Sequence, residues 1–79
     1  MGKYAAREWR NSSVPHLEVY ELFLEDGYIL EVNRKPQWEF RGWAVYNNKD
    51  ELIGAGQCNN WKDAMDCCEA FVENHRIQS

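Results

Sequence analysis

Three cysteines and two histidines are the side chains of this chain best equipped for chemistry. Cys58, Cys67, Cys68 and His75 fall in one C-terminal stretch, and thiolate and imidazole are the ligands zinc favours. Structural zinc sites draw on closely spaced two-cysteine hooks. Here Cys67 and Cys68 are adjacent and Cys58 stands alone. On a helix, adjacent side chains point about 100° apart, so Cys67 and Cys68 are not expected to bridge each other. A cysteine nucleophile with a histidine base is the other chemistry to consider. Cys68 and His75 would lie two helical turns apart, roughly 10 Å along the axis, which is beyond a hydrogen bond. His16 is remote in sequence. No GxSxG, HExxH or GK[ST] signature occurs. The residues therefore predict no catalytic centre, no metal and no cofactor, and the cysteines are expected as small apolar residues in a reducing cytoplasm.

With catalysis set aside, recognition by surfaces is what remains. The 79 residues carry net charge −4, and 14% are aromatic. That length holds a single core, so residues 1–79 are expected as one domain. The aromatic content argues against disorder. No run approaches the apolar length of a membrane span, and no basic-then-apolar leader opens the chain, so a cytoplasmic location is expected. The acidic balance argues against direct nucleic-acid binding. Charge is uneven: Lys3, Arg7 and Arg10 against Glu8 give residues 1–10 a charge of +2, which leaves −6 on the rest.

The elements that must position these surfaces read as follows. Residues 1–15 form an N-terminal segment in which Tyr4, Ala5, Glu8 and Trp9 share a helical face, a possible short helix. Residues 16–56 read as a β-meander. Two apolar runs, 17–24 and 28–33, flank Glu25-Asp26-Gly27, whose glycine accepts the backbone conformation of a tight hairpin. A rival reading makes 16–25 a helix. Residues 38–46 and 51–56 supply two more strands, and Gly54 and Gly56 point to one face, where something packs close or the strand bends. Residues 59–76 read as an amphipathic helix, capped by Asn59 or Asn60. Its apolar stripe runs through Trp61, Ala64, Met65, Cys68, Phe71, Val72 and His75. The expected fold is α+β, a four-stranded antiparallel sheet with this helix across one face.

One helix covers one face of a sheet, so the second face is informative. Alternation sets Tyr20, Leu22 and Leu24 against Val19, Glu21 and Phe23, and Leu30 and Val32 against Ile29 and Glu31. In the third strand it sets Phe40, Ala44 and Tyr46 against Arg41, Trp43 and Val45. Arg41, Trp43 and Val45, taken with Phe23 and Ile29, are the expected partner-binding patch on the free face, since aromatic residues with arginine are typical of interface centres. Alternatively, Tyr4 and Trp9 fold back and cover it. Asp66, Glu69 and Glu73, with Asp63, make an acidic helix stripe that suits a basic partner surface.

The strand Gly54-Ala55-Gly56, the polar turn after it and the helix from Trp61 to Phe71 resemble the end of a double-stranded-RNA-binding domain. That family carries lysines at the start of this helix. Here Lys62 stands alone and Asp63 follows, so the RNA-contacting residues do not carry over. In size, acidity and aromatic content the whole chain resembles small phage-encoded accessory proteins, anti-CRISPR proteins among them. That resemblance implies a non-catalytic inhibitor that occludes a protein surface of a host nucleoprotein complex. Two further functions stand beside it. One is a self-associating structural or regulatory subunit, a homodimer through the same sheet face. The other is a small RNA-binding domain using Lys3, Arg7 and Arg10 with aromatic stacking.

Overall fold

A computed structural model describes residues 9–78. Among these described residues, five antiparallel strands form one open sheet in sequence order: β1 (Arg10–Asn11), β2 (Glu18–Phe23), β3 (Ile29–Arg34), β4 (Arg41–Tyr46) and β5 (Leu52–Cys58). One helix, α1 (Trp61–Gln78), follows and packs against β3, β4 and β5. The α+β class and the meander agree with the sequence reading. The strand count does not, because β1 adds a fifth, two-residue strand paired to β2. Trp9 and Arg10, expected on a short helix, instead lead into and open this strand. The rest of that proposed helix, with Tyr4, lies outside the described residues.

Local chemistry explains each connection. Gly27 has φ +95°, in the region that costs glycine least, and it closes the β2–β3 hairpin: its amide donates to the Leu24 carbonyl at 3.0 Å, and the Leu24 amide donates to the Tyr28 carbonyl at 2.9 Å. The helical alternative for 16–25 is therefore overturned. Before β2, Val14 and Leu17 bond each other's backbone around Pro15-His16, with His16 at φ 69°. Trp38 and Phe40 lie before β4 rather than within it; Arg34 Nε donates to the Trp38 carbonyl at 2.9 Å and the two rings stack at 4.7 Å. Asn60 is the helix cap. Its Oδ1 accepts from the Asp63 amide at 2.9 Å, and its Nδ2 donates back to the Asp63 carboxylate at 3.1 Å.

The core lies between sheet and helix. Leu22, Leu30, Val32 and Val45 from the sheet meet Ala64, Cys68 and Val72 from α1, and Trp9 closes the β1 side. The apolar stripe read from the sequence is the packed face of α1. Gly54 and Gly56 leave room for rings. A Cβ at Gly54 would stand 2.6 Å from the Phe71 ring, and one at Gly56 would stand 2.7 Å from Trp43 Nε1. The far end of α1 is pinned to the hairpin, where Tyr28 Oη and His75 Nδ1 are 2.9 Å apart and Arg76 pairs with Asp26 at 2.7 Å.

Candidate functional site

Register decides which side chains reach the surface. Leu30 stands opposite Val45, and Val32 opposite Trp43. Trp43 and Val45 therefore join the face beneath α1. This corrects the expected binding patch. Val45 is 0% exposed, and Trp43 packs against the core with its ring 6.0 Å from Phe71. Arg41 lies on the same side. Its guanidinium sits 5.4 Å from the Trp61 ring centroid and donates to the Asn59 carbonyl at 3.2 Å, tying the start of β4 to the loop before α1. These three residues organise the sheet–helix junction.

The acidic stripe is corrected in the same way. Glu69 is only 6% exposed and accepts from Trp9 Nε1 at 3.4 Å, because Trp9 comes in from the β1 side beneath the helix. Trp9 is thus on the helix side of the sheet and not a cover for the other face. Asp63 is engaged in the cap, and Glu73 pairs with Arg76 at 3.9 Å. Asp66 is half-buried. The four acids do not make a free stripe.

What the sheet presents on its outer face is a different set, arranged in rows across the strands. One row is apolar: Phe23 opposite Ile29, Ile29 opposite Tyr46, and Tyr46 opposite Leu52. Phe23 is 50% and Leu52 59% exposed. The adjoining row runs Arg10, Glu21, Glu31, Ala44 and Ala55. Two carboxylates thus stand directly opposite each other, an arrangement that is unfavourable in a sheet. Asn33 Nδ2 donates to Glu31 at 2.8 Å, and Arg10 stands opposite Glu21 while its guanidinium lies 5.8 Å from the Phe23 centroid. Burial first, and then the charges of Glu31 and Glu21, push the Tyr46 phenol above its usual value. Among the described residues no helix or strand packs over this face.

The same exchange of faces explains what the sequence reading missed. Alternation separated Ala44 and Tyr46 from Trp43 and Val45 correctly. It did not say which pair shares a side with Phe23 and Ile29. The signal lay in Gly54 and Gly56: two bare positions on β5 must sit beside the large rings, Trp43 and Phe71, on the covered side.

The candidate metal ligands are dispersed. Cys68 Sγ points at the backbone carbonyls of Glu31 and Ala44, at 3.6 and 3.7 Å, while Cys58 Sγ and Cys67 Sγ meet at 3.3 Å. His75 is engaged with Tyr28. Among the described residues no group of three or more potential ligands converges. No described helix is long and apolar enough to cross a membrane. No family model, curated protein or solved structure matches this chain.

Proposed function

We propose that this chain is a non-catalytic protein-binding module whose outer sheet face docks a basic amphipathic segment of a partner. The observation that carries the reading is the pair of adjacent rows, Phe23–Ile29–Tyr46–Leu52 and Glu21–Glu31. Apolar side chains in the first row offer burial, at about 25 cal/mol per Å² of contact. The facing carboxylates of the second cost stability in the free protein, and a cation arriving between them relieves that cost. Net charge −4 steers a basic partner toward the molecule. A host nucleoprotein complex is one source of such a segment, since proteins that contact nucleic acid are rich in exposed lysine and arginine.

Selection from a displayed peptide library against the folded chain tests this reading. The expected outcome is enrichment of peptides that set lysine or arginine beside aliphatic or aromatic residues. Their binding should fall at least tenfold with Phe23→Ser and with Glu31→Lys, both at positions that the core does not use. Enrichment without charge bias, or equal binding by the wild type and both variants, overturns it.

A second reading, self-association, rests on β5. This strand of seven residues carries no charge and no proline, and among the described residues nothing pairs with its outer edge. Uncharged edges of this kind template strand addition. Sedimentation at rising concentration should then show a dimer in the wild type and a monomer with Ala55→Lys. A wild-type monomer at all concentrations rejects the second reading.

A further inference from the structure

The contact between Cys58 and Cys67 has no part in the docking surface, and what it can do does not depend on that surface. Cys58 ends β5 and Cys67 lies in the second turn of α1, and their sulfurs are 3.3 Å apart. A disulfide needs about 2.05 Å, so the atoms must close by roughly 1.3 Å. Both residues are partly exposed, whereas Cys68, beside Cys67 in sequence, is fully buried. The sheet–helix packing therefore selects one cysteine pair out of three and leaves it within reach of a small reagent.

We propose that Cys58 and Cys67 form a thiol–disulfide exchange site, which takes a low-molecular-weight disulfide of the glutathione class and closes an intramolecular bridge between β5 and α1. The thiol of Cys67 gives its proton to water and its sulfur attacks one sulfur of the glutathione disulfide. The sulfur–sulfur bond of the reagent breaks, a mixed disulfide forms on Cys67, and one glutathione leaves as thiolate and takes up a proton. The sulfur of Cys58 then gives its proton to water, attacks Cys67 Sγ and expels the second glutathione as thiolate, which also takes up a proton. Two protein thiols are oxidised to one disulfide and one glutathione disulfide is reduced to two thiols. Burial, its hydrogen bond with Cys67 and the nearby charges of Cys67 and Asp63 push the Cys58 thiol up to about 11. With its thiol held up, Cys58 takes the second, resolving step of the exchange.

Closure joins residues nine positions apart and ties the last residue of the edge strand to the helix. A loop this short constrains the unfolded chain less than a long one, so a rise in melting temperature of several degrees is the expected size.

The test incubates the full chain in oxidised glutathione and maps the products by peptide mass. The wild type is expected to lose the mass of two hydrogens and to yield a single cross-linked peptide pair, Cys58 with Cys67. Cys68→Ser should give the same cross-link. Cys58→Ser should instead accumulate a stable glutathione adduct on Cys67 and show no thermal shift. A wild type that remains reduced, that carries only glutathione adducts, or that cross-links through Cys68 overturns the proposal. Because the wild-type map alone distinguishes these results, the test stands even if a variant fails to fold.

Discussion

At the scale of single residues, burial sets reactivity. Cys68 is fully buried, and its thiol is pushed up to about 12 by that burial, while the unfolded chain exposes a cysteine that titrates near ~8.5. Between these values the folded state holds a proton that the unfolded state has lost. Folding stability should therefore fall as pH rises from about 9 to about 12, by up to about 1.4 kcal/mol per pH unit from this group. The contribution is fully present below about 8.5. Urea denaturation at a series of alkaline pH values should show this slope in the wild type and a shallower one in Cys68→Ala; equal slopes would remove Cys68 from the account. His16 is the second residue with a local cost. At φ 69° it occupies a conformation unfavourable for a side chain, between Pro15 and the bonded pair Val14 and Leu17. His16→Gly should stabilise the fold by about 0.5 kcal/mol, the backbone relief exceeding the added freedom of the unfolded chain. A lower midpoint in urea would contradict it.

At the scale of elements, the Phe71 ring of the helix packs directly over Gly54 in the sheet. Gly54→Ala places a Cβ 2.6 Å from the Phe71 ring and should cost about 1–3 kcal/mol, part of it recovered when Phe71→Leu is added. No recovery in the double mutant would mean that the cost arises elsewhere. These elements also show how far sequence reasoning reaches. The Asp-Gly turn, the Asn60 cap and the spacing from Trp61 to His75 are local signals, and local signals were legible. Register is not local. The pairing of β4 with β5 is regular from Arg41 to Val45 and shifts only where Tyr46 faces Leu52, which leaves Ile53 as an extra residue in β5. Alternation within a strand leaves open which of its faces continues that of Phe23 and Ile29, and matching the wrong one put Trp43 and Val45 on the surface. β1 escaped notice because two residues carry no periodicity. Glu69 looked like part of an exposed stripe because the arrival of Trp9, sixty positions away, leaves no trace in the helix sequence.

At the scale of the molecule, one face of the sheet makes the core and the other is the docking face we propose. Truncating Trp9 to alanine tests this division. That side chain is buried beside Glu69, so its loss should destabilise the fold by about 3–5 kcal/mol. Phe23→Ser, on the outer face, should leave the melting temperature nearly unchanged. The most direct measurement is a titration of the isotopically labelled full chain with a basic amphipathic peptide, followed through backbone amide shifts. The account predicts shifts concentrated at Phe23, Ile29, Glu31, Ala44 and Tyr46, abolished by Phe23→Ser. Shifts confined to α1 or to β5, with the outer face of β2 and β3 unmoved, would contradict it.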